Sequence, residues 1–225
     1  MYLRPWARHI VTQEEGDAMI RPMDRAEIKE ALFDIHEDKA PGPDGFSSGF
    51  LKAAWPIIGN EITAAVQDFF HTRKLLKQIN ATVLSLIPKV ASPNTISEFR
   101  PITCCNVLYK VITKIIVRRM HGVMDKIVSP VQNAFVSGRR ISSNILLAQE
   151  LFFGYNRRNL PPRCALKVDL RKAYDTLEWD FILVMLRLFG FVARFIPWIE
   201  ECISSTYFSV SINGNSMVSF LVQEG

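Results

Sequence analysis

The charged residues of this chain are distributed unevenly, and that distribution limits how the chain can fold. Residues 1–71 carry 7 Lys and Arg against 12 Asp and Glu, whereas residues 72–173 carry 18 against 4. The last stretch, 174–225, is acidic again, with 2 against 6. A segment as basic as the middle one repels itself unless it faces a polyanion. Charge alone therefore leaves two interpretations open, a nucleic-acid partner and an ordinary surface rich in Lys and Arg.

Length and composition predict an intracellular globular protein. A chain of 225 residues with 48% hydrophobic residues can form one large or two small domains around a real core. The first twenty residues mix Arg with Glu, so they do not resemble a signal peptide, and no apolar run is long enough to predict a membrane span. The four cysteines lack the spacing of a zinc site and the density of a disulfide scaffold. We therefore expect a reducing compartment, the nucleus or the cytoplasm, and no membrane partner.

The hydrophobic periodicity predicts helices interrupted by a few strands. Residues 1–23 are expected to be irregular, and a helix beginning at Asp24 should end by Lys39, before the Pro- and Gly-rich turn at 40–45. Further helices are predicted at about 56–70, 108–119, 142–155, 181–189 and 194–205. Strands are predicted at 83–87, 164–169, 208–212 and 217–222, the last two forming a hairpin around Asn213 and Gly214. The pattern is typical of an α+β fold.

One of these predicted strands would carry a carboxylate to its end. Apolar residues at Cys164, Leu166 and Val168 alternate with residues that would point the other way, ending at Asp169. An acid at the end of a buried strand, with basic residues around it, suits a site for Mg²⁺ and phosphate. The alternative is a strand end whose Asp caps the next turn, and that interpretation is the stronger one for this stretch taken alone.

Six short blocks follow one another along the chain. They are KAPGPDG (39–45), LIPK (86–89), FRPI (99–102), QNAFVSGR (132–139), KVD with KAYD (167–169 and 172–175), and FSV with NG (208–210 and 213–214). In this order and spacing the blocks resemble the reverse transcriptase domain of non-LTR (LINE-type) retrotransposons, especially their plant branch. The resemblance covers roughly residues 24 to 225.

The resemblance implies an RNA-directed DNA polymerase that extends a DNA primer on an RNA template with dNTPs. Enzymes of this kind use two Mg²⁺ ions and no small-molecule cofactor. The implied fold is a right-hand polymerase fold, mostly helical with a small antiparallel sheet. Its fingers would occupy residues 24–160, and the first part of its palm residues 161–225.

The resemblance also implies roles for five residues. Asp169 matches the first catalytic, metal-binding aspartate, and the main-chain carbonyl of Leu170 would be an additional metal ligand. Lys89 and Arg100 match the fingers residues that hold the incoming triphosphate, because Arg suits bidentate phosphate contacts and Lys acts as a point charge. Tyr174 matches the aromatic gate whose ring clashes with a ribose 2′-hydroxyl and so favours deoxynucleotides.

A second set of residues matches regions that shape the fingers and the template path. A structural turn explains the Gly and Pro content of these regions equally well. The set consists of Asp44, Gly45, Gln132, Phe135, Gly138 and Arg139.

The chain also departs from the family pattern. It contains no Asp-Asp pair, so the aromatic-Ala-Asp-Asp box that supplies the other metal-binding carboxylates is missing, as are an endonuclease domain and a thumb. One carboxylate cannot hold two Mg²⁺ ions, because Mg²⁺ needs several convergent oxygen ligands. The sequence therefore predicts a truncated fragment that is inactive alone. The alternative is a non-catalytic nucleic-acid-binding remnant or a functionless relic.

Overall fold

A computed structural model of the chain describes residues 8–134, 136, 138–155, 164–166, 168, 176–212 and 215–221. Asp169, Leu170, Tyr174 and Phe135 lie outside the described residues. The helices are α1 (Gln13–Met19), α2 (Arg25–Phe33), α3 (Ser48–Ala53), α4 (Trp55–Thr72), α5 (Val107–Ile127), α6 (Ile141–Phe152), α7 (Trp179–Leu188) and α8 (Ile196–Ser204). The strands are β1 (Ala81–Pro88), β2 (Phe99–Cys105), β3 (Tyr207–Ile212) and β4 (Asn215–Leu221).

Helix α5 lies at the centre of the helical layer and packs against α1, α2, α4 and α8. Its apolar residues recur at helical spacing and are buried, which is the stripe that the sequence predicts from residue 108 onward. Trp198 of α8 closes the other side of this core. Its ring meets Phe70 and Phe195 edge to face, and its Nε1 donates a hydrogen bond to the Phe70 carbonyl at 3.1 Å. The buried aromatic therefore has a partner for its polar atom as well as for its ring.

The four strands form one sheet in the order β2-β1-β3-β4. The pairs β1–β2 and β3–β4 are antiparallel, but β1 and β3 are parallel. The α+β fold class is thus confirmed, whereas the expectation of an antiparallel sheet is wrong for the central pair. The physical reason is the long helical connection between β2 and β3, because parallel strands require such a crossover and a short turn does not provide one.

Asn80 fastens the parallel pair at its beginning. Its carbonyl accepts a hydrogen bond from the Tyr207 amide at 3.0 Å, and its side chain donates to Ser205 Oγ at 2.8 Å. Its Oδ1 accepts from Thr206 Oγ1 at 3.2 Å, and the side chain is buried. The sheet therefore joins two strands that precede residue 160 to two that follow it. The predicted division into fingers and palm at residue 160 stays a prediction.

The expected irregular N-terminal extension is wrong for residues 13–19. Thr12 and Glu15 form a reciprocal capping box that starts α1, and Met19 near its end is buried. The capping box satisfies two amides that the first turn would otherwise leave without partners. The mixed charges of this stretch conceal the helix in a search for apolar periodicity, because α1 is short and contributes few side chains to the core.

The predicted strand at 164–169 is also wrong for the residues that can be assessed. Residues 164–166 and 168 are not in a strand, and Leu166 and Val168 are 86% and 70% exposed. Alternation gives a strand only where a neighbour supplies hydrogen bonds and a face to bury. Within the described part of the chain, β1 to β4 pair with one another and not with this stretch. The hairpin prediction is confirmed by the β3–β4 pairing, although residues 213 and 214 themselves lie outside the described ranges.

Candidate functional site

The β1–β2 hairpin brings the two predicted triphosphate-binding residues to one face. Ile87 is directly opposite Arg100, and the amide of Lys89 donates to the Glu98 carbonyl at 2.8 Å just beyond the last pair. Opposed residues in an antiparallel pair point to the same side, and side chains alternate along a strand. Arg100 therefore shares a face with Ile87 and Lys89, close to the end of the hairpin. Their separation along the sequence gives no indication of this.

Both cations are exposed and keep donors that an anionic ligand could use. Lys89 Nζ donates one hydrogen bond, to the Ser97 carbonyl at 2.7 Å, and an ammonium has three donors. In the described structure, neither Lys89 nor Arg100 forms an ion pair. The acid of the same loop, Glu98, instead accepts hydrogen bonds from the amides of Asn94 and Thr95. Glu98 is thus bonded to the backbone of the loop and is not paired with either cation.

The Pro- and Gly-rich turn is a structural element that packs on Asn106. The amide of Asp44 donates to Asn106 Oδ1 at 3.2 Å, and the Asp44 carboxylate accepts from the Phe46 amide at 3.0 Å. Gly45 has a φ of +75°, which suits glycine. A Cβ at Gly42 would collide with the backbone and side chain of Asn106. These contacts favour the structural interpretation of Asp44 and Gly45.

Asn106 is a key residue that the sequence interpretation misses. It is buried, and its Nδ2 donates to the carbonyls of Gln78 and Ile79 at 2.6 and 3.2 Å. One side chain therefore joins the turn at 40–45 to the segment that leads into β1. Its position just before α5 would suggest a helix cap, but the side chain makes no capping hydrogen bond. Nothing in the local sequence distinguishes these two uses.

Arg139 also has a structural environment. Its guanidinium donates to four main-chain carbonyls, those of Asp125, Val128, Ser129 and Gln132, at 3.1, 3.3, 2.5 and 2.8 Å. A guanidinium at a helix C-terminus satisfies carbonyls that have no partner within the helix, and here it closes the end of α5. These contacts favour the structural interpretation of Arg139.

Two other residues of that block have local roles. Gln132 Nε2 donates to the Ala134 carbonyl at 3.1 Å, and Gly138 has a φ of +79°. A residue other than glycine would be strained at that φ. Phe135, in the same block, lies outside the described residues. The block thus forms a shaped turn beside α5.

The basic face of α5 is paired with the acidic N-terminal third of the chain. Arg119 forms two hydrogen bonds with Glu27, at 3.0 and 2.8 Å, and its side chain is only 4% exposed. Lys114 and Arg118 both meet Asp34, at 2.6 and 2.8 Å. Hydrogen bonds from Lys114 and then from Arg118 hold the pKa of Asp34 below its usual value.

Glu15 extends this network to the end of α5. Its carboxylate accepts from Lys126 Nζ at 2.5 Å, from the Thr12 amide at 2.9 Å and from His9 at 2.8 Å. These hydrogen bonds, that from Lys126 first, lower the pKa of Glu15 to about 2. The positive charges of this part of the basic segment are therefore balanced by carboxylates of the protein itself, and they need no nucleic-acid partner.

The remaining described cations of residues 72–173 form no ion pair with a described carboxylate. Some have other contacts, such as Lys110, whose Nζ donates to the Ala40 carbonyl at 2.8 Å. The set consists of Arg73, Lys74, Lys77, Lys89, Arg100, Lys110 and Arg140. The basic segment is thus divided between cations that stabilise the fold and cations that face solvent.

Within the described part of the chain, no three His, Cys, Asp or Glu side chains lie close enough together to hold a metal ion. Asp169 and Leu170, the predicted ligands, lie outside it, as does Tyr174. None of the described helices is long and apolar enough to cross a membrane.

Comparison with known proteins gives the same assignment as the order of the blocks. The family model described as reverse transcriptase (RNA-dependent DNA polymerase) matches residues 87–225. The chain belongs to the reverse transcriptase family. The match includes the β1–β2 hairpin from Ile87 onward, and therefore both Lys89 and Arg100.

Three curated relatives come from mobile elements, and this confirms the predicted retrotransposon group. The chain is 26% identical over 204 residues to the transposon TX1 uncharacterized 149 kDa protein of Xenopus laevis. This match covers 91% of the chain and 16% of the relative. It is 25% identical over 179 residues to a Pol polyprotein from the type-1 retrotransposable element R1 of Bradysia coprophila, covering 75% and 17%. It is 22% identical over 186 residues to the corresponding polyprotein from the type-2 element R2DM of Drosophila melanogaster, covering 83% and 17%. The chain thus spans about one sixth of the length of these relatives, and the plant branch stays a prediction.

Proposed function

We propose that this reverse transcriptase domain binds the incoming dNTP of an RNA-directed DNA polymerase, with Lys89 and Arg100 as the triphosphate contacts. One observation carries the proposal. The hairpin register places both cations on one exposed face, and the nearby carboxylate of Glu98 is held by backbone amides. A guanidinium, which binds phosphate through two donors, and an ammonium, which acts as a point charge, together suit an ion with several phosphate oxygens.

The remaining parts of the reaction are proposed from motif position. Asp169 and the Leu170 carbonyl would bind Mg²⁺, one of the two ions expected in a complete enzyme, and Tyr174 would exclude a ribose 2′-hydroxyl. The polymer partners would be an RNA template and a DNA primer inside the cell. Bound Mg²⁺ would neutralise phosphate charge at the site of transfer. Binding of a dNTP does not require the complete polymerase reaction, so this step can be tested with the 225-residue chain.

The test is binding of a fluorescent dATP analogue to the 225-residue chain in Mg²⁺ buffer, followed by anisotropy. The double variant Lys89→Gln/Arg100→Gln should bind at least about tenfold more weakly, which corresponds to about 1.4 kcal/mol. The matched control is Lys29→Gln/Arg187→Gln, which removes the same charge from two exposed positions away from the hairpin. Equal affinity of the wild type and the hairpin variant would refute the proposal.

A further variant separates this proposal from the alternative of a non-catalytic nucleic-acid binder. Asp169→Asn should weaken dATP binding in Mg²⁺ and should not weaken it in EDTA, because the carboxylate attracts the phosphates only through the metal and repels them without it. A simple nucleic-acid binder would show no such Mg²⁺ dependence.

A further inference from the structure

The segment between α4 and β1 contains three cations within five residues, Arg73, Lys74 and Lys77. All three side chains are exposed, and none forms an ion pair in the described structure. The carboxylate that reaches this segment, Glu201, accepts a hydrogen bond from the Leu75 amide at 2.8 Å. Glu201 is thus bonded to the backbone of this segment, and none of the three cations is paired with it in the described structure. We call this segment, residues 73–77, the basic loop.

We propose that the basic loop is a second contact point for the phosphodiester backbone of a nucleic-acid strand, separate from the triphosphate contacts. The inference rests on the proposed function, because it assumes that this domain handles a template or primer. It adds a site to which neither the family match nor the block pattern assigns a role. The occupant is a single strand bound through its phosphates, without selection of sequence.

The separation from the hairpin follows from the geometry of β1. The basic loop precedes this strand, and Lys89 follows it, so the two sites lie at opposite ends of β1. A strand of 8 residues is about 26 Å long at about 3.3 Å per residue. A triphosphate cannot span that distance, whereas about eight nucleotides of one strand can, at about 3.4 Å each. One polymer could therefore contact both places.

The backbone of the basic loop is held in place. The amide of Arg73 donates to the Phe69 carbonyl at 2.7 Å and ends α4. The amides of Ile79 and Asn80 both donate to the Leu76 carbonyl, at 2.9 and 3.1 Å. A loop that is already ordered loses less conformational entropy when it binds a ligand. The backbone positions from which the three cations extend are thus ordered before a ligand binds.

Two of the cations show features that a purely structural turn would not need. Arg73 has a left-handed backbone with a φ of 62°, which among the described residues is otherwise found only at glycines. Glycine is the favoured residue for this conformation at a helix end, so an arginine there adds strain. Lys77 Nζ lies 4.1 Å from the centre of the Tyr207 ring. This cation–π contact orients the ammonium and leaves its charge without a carboxylate partner.

The experiment measures the salt dependence of binding to a labelled RNA of about 12 nucleotides without secondary structure, long enough to reach both sites. For single strands, log Kd changes with log salt by about 0.7 for each neutralised phosphate. The triple variant Arg73→Gln/Lys74→Gln/Lys77→Gln should therefore lower the magnitude of the slope by roughly 2 between about 50 and 200 mM KCl. The matched control Lys29→Gln/Arg187→Gln/Arg194→Gln has the same net charge and should keep the wild-type slope. An unchanged slope in the loop variant would overturn the proposal.

A single variant tests whether a reduced salt slope comes from misfolding of the protein. Arg73→Gly removes one charge and relieves the left-handed strain, so the apparent Tm should rise while the salt slope falls by about 0.7. If the slope stays at the wild-type value, Arg73 is only a helix end and the proposal loses this contact. Failure of the dNTP proposal would appear elsewhere, as unchanged dATP affinity in the hairpin variant.

Two further ligands identify the occupant. With a single-stranded DNA of the same length, the triple variant should lower the salt slope by as much as it does with RNA, since a phosphate contact does not involve the 2′-hydroxyl. A loss seen only with RNA would overturn the backbone assignment. If polyglutamate at equal charge concentration displaces the RNA as well as unlabelled RNA does, an acidic protein surface is the occupant and the nucleic-acid assignment is wrong.

Discussion

Helix α5 and the β1–β2 hairpin are both basic, and they use their cations in opposite ways. On α5, Arg118, Arg119 and Lys126 meet carboxylates of the N-terminal third. At the hairpin, Lys89 and Arg100 face solvent. The difference teaches that a basic segment is not in itself a binding surface, because a cation has a second use once an acid from elsewhere in the chain reaches it. Burial and pairing separate the two uses, and the count of charges does not.

The comparison of α5 with the hairpin also weakens the inference of nucleic-acid binding from the net charge of the middle segment. The sequence contrast between an acidic start and a basic middle is partly the complementarity of two segments that pack together. Nucleic-acid binding is therefore better argued from the exposed cations at the two ends of β1 than from the whole middle third. Those cations are the ones whose removal should alter ligand affinity and leave the fold intact.

The largest effect on stability is expected at Arg119. Its guanidinium pairs with Glu27 and also donates to the carbonyls of Met19 and Arg21, at 2.9 and 2.7 Å. Arg119→Met should lower the free energy of unfolding by about 3 kcal/mol, because it leaves two carbonyls without this donor and the largely buried Glu27 carboxylate with only the more exposed Arg21 as a partner. Urea denaturation measures the change.

Lys126→Met is the matched control on the same helix. The Lys126 side chain is 54% exposed, so its removal should lower the free energy of unfolding by less than about 1 kcal/mol. Equal losses for the two variants would contradict the distinction between buried and exposed pairs on α5.

A smaller effect is expected from protonation of Glu15. Its pKa is about 2 in the folded protein against an ordinary value of 4.5, so the folded state favours the carboxylate. The stabilisation is present above pH 4.5 and is lost as the pH falls towards 2. Glu15→Gln should remove this part of the pH dependence, so its Tm should fall less steeply than that of the wild type in this window. Higher salt should narrow the difference, because Lys126 is exposed to solvent. Parallel Tm curves for the two proteins would exclude this role.

How far the sequence could predict the fold depends on how local each signal is. The stripe of α5 and the Asn213-Gly214 turn are local patterns, and both predict the elements that form. The parallel pairing of β1 with β3 depends on a strand more than a hundred residues away, and no local pattern encodes it. The strand predicted at 164–169 fails for the same reason, since alternation does not identify a partner.

The site residues show the same limit. Arg100 and Arg139 each lie in a block that resembles a polymerase motif. The resemblance matches Arg100 to a triphosphate contact, and it leaves Arg139 open between the template path and a structural turn. The fold separates them, because Arg139 reaches four carbonyls at the end of α5 while Arg100 is exposed on a strand. The environment of a long side chain is set by its tertiary neighbours. For that reason Asn106, which joins three segments, could not be identified from its neighbours in sequence.

The smallest effect on stability is expected at the hairpin, and it is the sharpest test of the comparison. Lys89→Gln/Arg100→Gln removes two exposed cations and one hydrogen bond to a carbonyl, so the free energy of unfolding should change by less than about 0.5 kcal/mol. Urea denaturation of this variant beside Arg119→Met gives the contrast directly. A loss as large as that of Arg119→Met would mean that the hairpin cations hold the sheet together, and any weaker dATP binding would then report a damaged fold. A small loss with weaker dATP binding would assign the charges to the ligand, because exposed cations that contribute little to folding can still contribute to binding a phosphate.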